Sequence, residues 1–280
     1  MSVNIIAEAM GLPRLSEELY PQLEGFKGVL LVGPTDVGKS HFVRGFARYL
    51  LSRGRVPVVV DLDVGQSDVG PVGTLGAVRV DRDFALLEEL SPFAVSFFGF
   101  CAPSRDVASY VWALSELAGS VERRGPVVVD TTGWVSGYEA FSLKVMKASL
   151  FGVEAVVLVG ERVHPWSRFF SRLGLKVFPC LPSSLVVPKD RARRRINRYA
   201  STCRFFEGAP LVRFRVGDYA VWSREMSGMK GRIFGAFDGE LSLVGLGWVC
   251  QEEDGAVVAR YRALRRTGVK VLRFGEVITL

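Results

Sequence analysis

The 280-residue chain reads as an α/β protein, with a mostly parallel sheet over its first two-thirds and a small β-rich module at its C-terminus. Three observations predict this. Short β-branched runs alternate with amphipathic stretches up to about residue 204, a glycine-rich turn separates the first such run from the first such stretch, and strand-like alternation punctuated by glycine replaces helical periodicity after residue 205. The expected boundaries are 1–204 for the main domain and 205–280 for the module.

Taken in order, VLLVG (29–33), VPVVVDLD (56–63), AVSFFG (94–99), PVVVDTTG (126–133) and EAVVLVG (154–160) read as strands buried on both faces, as in a parallel sheet covered by helices. Phe42, Phe46, Tyr49 and Leu50 recur at helical spacing, as do Val107, Val111, Leu114, Ala118 and Val121. In the module, LVRFRVGDYAVWS and VKVLRFGEVITL alternate as antiparallel strands do. With 49% apolar and 23% charged residues the chain can build a core, and no apolar run reaches the roughly 20 residues of a membrane span. The opening MSVNIIAEAMGLPRLSEEL has none of the features of a signal peptide, so a cytoplasmic protein with no membrane partner is expected. The net charge of +7 favours polyanions, and between Val186 and Arg204 seven basic residues accompany one acid, Asp190. Cys101, Cys180, Cys203 and Cys250 have no metal-ligand spacing and read as buried thiols. The scarcity of amides, two Asn and three Gln, matches hyperthermophile proteins, whose cytosol tolerates disulfides, and equally matches a GC-rich genome.

The glycine-rich turn carries the most specific chemistry. GPTDVGKS, residues Gly33, Pro34, Thr35, Asp36, Val37, Gly38, Lys39 and Ser40, fits the P-loop pattern in its required setting of strand before and helix after. Gly33 and Gly38 let the backbone curl so that successive N–H groups face inward, where the helix N-terminus adds positive potential. ATP or another nucleoside triphosphate fits such a cradle, with Lys39 reaching the β- and γ-phosphates and Ser40 ligating Mg²⁺. His41 adjoins the site on the first helical turn.

A second acidic segment, VVVDLDVGQSDVGP (58–71), ends a strand with Asp61 and Asp63 at the carboxyl edge where open α/β sheets bind ligands. One of these acids is expected to serve the metal and the other to take a proton from an attacking hydroxyl, with Gln66 orienting either party. Asp130 is a rival for the metal, because PVVVD also ends a strand with an acid, and spacing alone leaves the choice open.

Together, GPTDVGKS, DLDVGQ and DTTGW resemble the motif set of the polynucleotide 5′-hydroxyl kinase family, whose members include the kinase subunit of the eukaryotic pre-mRNA cleavage factor, the nucleolar pre-rRNA-processing kinase and archaeal relatives. The resemblance spans about Gly28 to Tyr199 and implies a P-loop NTPase fold and transfer of the ATP γ-phosphate to the 5′-hydroxyl end of RNA or DNA. It implies that Asp63 is the general base and that Thr131, Thr132, Gly133 and Trp134 line the acceptor site. A base stacked on Trp134 would contribute about 1–3 kcal/mol. Residues 186–200 are similar to the family's arginine-bearing lid, which makes Lys189, Arg191, Arg194 and Arg195 candidates for neutralising the transferring phosphoryl group. Lys189 stands where an arginine is usual, and Asp130 replaces the usual asparagine. The P-loop begins at residue 33, so the extra N-terminal β domain of the eukaryotic members is not expected. Two other readings stay open: a transfer-inactive ATP-binding scaffold of an RNA-processing complex, and another P-loop ATPase or small-molecule kinase.

Overall fold

The computed structural model describes residues 12–122, 124–223 and 228–279, so most of the segment read for a signal peptide lies outside the described residues. The chain forms two compact units: Met1–Asp63, Gly76–Ala94 and Leu114–Lys189 make the first, and Val64–Leu75, Val95–Ala113 and Asp190–Leu280 the second. The second unit therefore contains all of the 205–280 module together with three earlier pieces. Its own core explains this, because Val72 and Phe97 from the earlier pieces pack with Ile233, Phe237 and Leu246 of the module.

A seven-stranded sheet is built from β1 (Gly28–Val32), β2 (Val58–Leu62), β3 (Thr74–Arg79), β4 (Pro92–Phe97), β5 (Val127–Thr131), β6 (Ala155–Val159) and β7 (Lys176–Cys180), in the order β4-β3-β2-β5-β1-β6-β7. From β2 through β5, β1 and β6 to β7 every pair is parallel, and β3 runs antiparallel to β2. The valine-rich strands β1, β2, β5 and β6 are buried along their whole length, as their continuous apolar runs predict. The run at 94–99 departs from expectation: its strand is Pro92–Phe97 and it lies at the sheet edge with partial exposure. Proline at its first position fits an edge, since it has no N–H for a ladder. The opposite edge strand, β7, also carries a proline, Pro179.

Besides a single helical turn at Tyr20–Leu23, the helices are α1 (Lys39–Ser52), α2 (Val107–Ser120), α3 (Tyr138–Leu150) and α4 (Ser167–Arg172). Helix α1 follows the P-loop and buries Phe42, Val43, Phe46, Ala47 and Leu50, a stripe of three- and four-residue spacings. Helix α3 buries Ala140, Leu143, Lys144, Lys147 and Ala148 at the same spacing, so two lysines occupy positions normally held by apolar side chains.

In the second unit, helix α5 (Arg191–Phe205) is capped by Asp190, whose side chain accepts from the Arg193 N–H at 2.7 Å. Six strands follow: β8 (Leu211–Arg215), β9 (Ala220–Trp222), β10 (Arg232–Phe237), β11 (Leu243–Glu253), β12 (Ala256–Ala263) and β13 (Val271–Val277). They form a sheet in the order β8-β12-β11-β10-β13-β9, antiparallel except for β13 with β9. Both faces are covered. Along β10, Phe234 and Ala236 enter one apolar cluster while Ile233 and Phe237 enter another, the period of two that strands impose. Arg273, on β13, is buried with its guanidinium 4.5 Å from the Trp222 ring centre and 5.7 Å from that of Trp112. The four cysteines are free thiols; Cys180 is buried, and the other three are partly exposed.

Candidate active site

The P-loop leaves the carboxyl end of β1 and curls into α1. Glycine at position 33 is required by close approach, because a Cβ there would lie 2.7 Å from the Val159 carbonyl oxygen. Gly38 caps α1 with φ of 97°, a left-handed conformation natural to glycine. Asp36 also has positive φ, 56°, and its carboxylate accepts from the Lys189 N–H at 3.1 Å. Lys39 is 6% exposed and its Nζ donates to the Pro34 carbonyl at 2.8 Å, so the amine lies over its own loop. Burial lowers its pKa, opposed by the charges of Asp130, Asp63 and Asp36. His41 sits on the exposed side of the first turn.

Strand order decides which acid meets the P-loop. Because β5 lies between β1 and β2, the acid ending β5 is next to the P-loop strand and the acid ending β2 is one strand further away. Asp130 is 4% exposed and hydrogen-bonded to the Ser40 hydroxyl; burial raises its pKa, and Lys39 and Ser40 oppose the shift. Asp61 stands opposite Asp130 in the β2–β5 register and accepts the Asp63 N–H at 2.9 Å, bracing the turn where the chain leaves the sheet. Of the residues expected at the metal, Ser40 meets Asp130: the carboxylate bonded to the Ser40 hydroxyl is that of Asp130, the rival acid, and not that of Asp61 or Asp63. Asp63 is partly exposed and interacts electrostatically with Lys39 and Asp130. Among the described residues no three His, Cys, Asp or Glu side chains converge into a metal cage. An all-oxygen set of one hydroxyl and one or two carboxylates suits Mg²⁺, which keeps waters and takes phosphate oxygens rather than a full protein shell.

The Thr131–Trp134 segment continues from Asp130. Thr131, expected to line the acceptor site, is fully buried, and its hydroxyl donates to the Leu31 carbonyl at 2.7 Å, which makes it a strut between β5 and β1. Thr132 is also buried, whereas Gly133 and Trp134 are partly exposed. Gly133 lies directly on the P-loop, since an added Cβ would overlap the Thr35 side chain and backbone nitrogen.

Sequence reasoning missed two residues here, Lys144 and Lys147. Lys144 is 1% exposed and its Nζ donates to the Thr132 carbonyl at 2.7 Å and to the Thr131 hydroxyl at 2.9 Å. Burial, reinforced by Lys147 and Lys39, drives its pKa well below the usual amine value. Lys147 is fully buried and its pKa falls to about 7, lowered by burial against the pull of Asp63, Asp130 and Asp61. Lysine at core positions of an amphipathic helix was the available signal, because such an amine needs buried oxygens to face.

The remaining expected residues belong to the second unit. There Gln66 donates its side-chain amide to the Gly65 carbonyl at 2.7 Å and to the Arg194 carbonyl at 3.4 Å, which ties it to helix α5. Arg191 and Arg195 are exposed, and Arg195 Nε donates to the Thr279 carbonyl at 3.2 Å.

Residues 33–208 match the family described as mRNA cleavage and polyadenylation factor CLP1 P-loop. A polyribonucleotide 5′-hydroxyl-kinase of Pyrococcus horikoshii is 32% identical over 202 residues, 71% of this chain and 55% of that protein. Polyribonucleotide 5′-hydroxyl-kinase Clp1 of Rattus norvegicus is 39% identical over 173 residues, 58% of this chain and 39% of that protein. A protein CLP1 homolog of Brugia malayi is 32% identical over 176 residues, 58% of this chain and 40% of that protein. The chain thus spans about half or less of the length of these curated relatives. Among solved structures, Clp1p in a complex with Pcf11p superposes with a TM-score of 0.74 at 14% identity, covering 93% of this chain and 77% of that one.

Proposed function

The chain belongs to the mRNA cleavage and polyadenylation factor CLP1 P-loop family, and from that membership we propose that it is an ATP-dependent polynucleotide kinase that moves the γ-phosphate of ATP to a 5′-hydroxyl end. The observation that carries this reading is Gly133 resting on Thr35, which brings the expected acceptor segment against the phosphate cradle. The curated relatives named polyribonucleotide 5′-hydroxyl-kinase support the same reaction and make RNA the first substrate to test.

In this reading the loop N–H groups hold the β- and γ-phosphates, and Lys39 exchanges the Pro34 carbonyl for a phosphate oxygen. Ser40 and Asp130 would hold Mg²⁺, which when bound screens phosphate charge and orients the phosphates. Asp63, the partly exposed acid, takes the proton of the attacking hydroxyl, and Asp61 fixes its backbone. Trp134 stacks the terminal base. Lys189, whose N–H meets Asp36 of the loop, adds positive charge as the phosphoryl group transfers. Catalysis on this plan is positioning and electrostatics, which suits a loose phosphoryl-transfer transition state.

The test is transfer from labelled ATP, with magnesium, to oligonucleotides ending in a 5′-hydroxyl or a 5′-phosphate. Only the 5′-hydroxyl oligonucleotide should gain label. Lys39→Ala should abolish transfer and weaken nucleotide binding, whereas Asp63→Asn should lower kcat by about 100-fold or more with nucleotide affinity retained. Nucleotide binding without any transfer would favour the scaffold reading. Normal transfer by Asp63→Asn would move the role of base to another acid.

A further inference from the structure

Lys144 reaches from the core-facing stripe of α3 to the end of β5, where the chain runs out of sheet partners. The last register position of β5 is Thr131, paired with Leu62. One residue later the Thr132 carbonyl accepts from Lys144 at 2.7 Å, and the Thr132 hydroxyl lies 3.4 Å from the same nitrogen. The third contact continues as a relay: Lys144 donates to the Thr131 hydroxyl at 2.9 Å, and that hydroxyl donates to the carbonyl of Leu31 on the P-loop strand at 2.7 Å. On its other side the same turn presses Gly133 against Thr35.

Stability does not account for a lysine here. Burying an amine carries a desolvation penalty of several kcal/mol, which hydrogen bonds offset only in part, and an apolar side chain of similar length fills such a site at least as well. Methionine at 144 would satisfy packing. What an apolar side chain would not do is fix the Thr132 carbonyl and the Thr131 hydroxyl, the two groups that set the path of the chain into Gly133 and Trp134.

We propose that Lys144 is a positioning residue for the acceptor segment, holding the Thr131–Thr132 turn to the P-loop strand so that Gly133 and Trp134 stand in place for the incoming 5′ end. The proposal rests on the kinase reading of this site for its catalytic consequence and on the hydrogen-bond geometry for its structural one. The hydrogen bonds of Lys144 go to Thr131 and Thr132. Its removal acts through the segment it holds.

The experiment compares wild type, Lys144→Met and the milder Thr131→Val, which deletes one acceptor of Lys144 and the donor to Leu31. Hydrogen exchange of the backbone amides at 132–135 should rise at least tenfold in Lys144→Met, with the P-loop amides unchanged. The kcat/KM for a 5′-hydroxyl oligonucleotide should fall at least tenfold while the Kd for ATP stays within threefold. Thr131→Val should move the same readouts in the same direction by less, and it carries the test should Lys144→Met not fold. Unchanged exchange at 132–135 would overturn the proposal, as would ATP affinity falling in step with oligonucleotide turnover, the mark of a merely structural residue. An inactive wild type would count against the kinase reading alone, and the exchange measurement would still decide the role of Lys144.

Discussion

The buried lysines and the arginine-rich helix α5 belong to different units of this molecule. Of the eight lysines, Lys39, Lys144 and Lys147 are buried among Asp61, Asp63 and Asp130 in the first unit, and the other five are exposed. Helix α5, in the second unit, carries six arginines and only partly buried or exposed ones. An amine can shed its proton when water is withdrawn, whereas a guanidinium keeps its charge in any protein environment. Lysine therefore suits an enclosed recess whose charge must balance, and arginine suits a helix that offers fixed positive charge. Arg273 fits the same logic from the other side: it is buried, but against the rings of Trp222 and Trp112, whose faces receive a planar cation without neutralising it.

The sharpest way to break this comparison is to exchange the residue types. Lys147→Arg forces a larger, permanently charged group into a closed site and should cost about 3–5 kcal/mol, whereas Lys147→Met should stay within about 1.5 kcal/mol of wild type. Chemical denaturation at pH 7 measures both, and equal stability of the two variants would dismiss the argument. A smaller effect is expected at α5. Arg194→Ala should lower kcat about tenfold with little change in melting temperature or oligonucleotide affinity, if its charge acts on the transferring phosphoryl group. Loss of oligonucleotide affinity alone, with the salt dependence flattened by about 0.7 log units, would instead make α5 a strand-binding face.

A third effect concerns pH. Folded Lys147 loses its proton near pH 7, while the unfolded side chain holds its proton up to about 10.4. Between those values the unfolded state binds more protons, so the stability of the nucleotide-free, metal-free protein should rise with pH, by at most about 1.4 kcal/mol per unit from this residue. Lys147→Met should remove that slope. An identical slope in wild type and variant would assign it to other groups.

Much of this is legible in local sequence pattern. GPTDVGKS carries its own strand and helix, and the valine runs of β1, β2, β5 and β6 announce buried strands. Strand β3 escaped notice because TLGAVR has one β-branched residue at each end of its apolar stretch and a glycine within it, too weak a signal against its neighbours. The choice between Asp61 and Asp130 was out of reach for another reason: both end β-branched strands, and only the order of strands places β5 beside β1. Lys144 and Lys147 were readable in principle. Their spacing on α3 matches Ala140, Leu143 and Ala148, but charge on a helix is ordinarily taken as its solvent side.

The prolines at the two margins of the seven-stranded sheet bear on how the protein behaves at high concentration. An outer strand with a full row of N–H donors is a template on which a second copy can add, the first step toward aggregation. Pro92 removes a donor from β4 and Pro179 removes one from β7. At β7 the chain covers itself further, with Arg14 bridging to Leu181 just beyond the strand and the Leu181 N–H donating to the Pro13 carbonyl at 2.9 Å. A sheet whose interior strands are almost wholly valine and leucine thereby offers an incomplete row of donors at both of its margins.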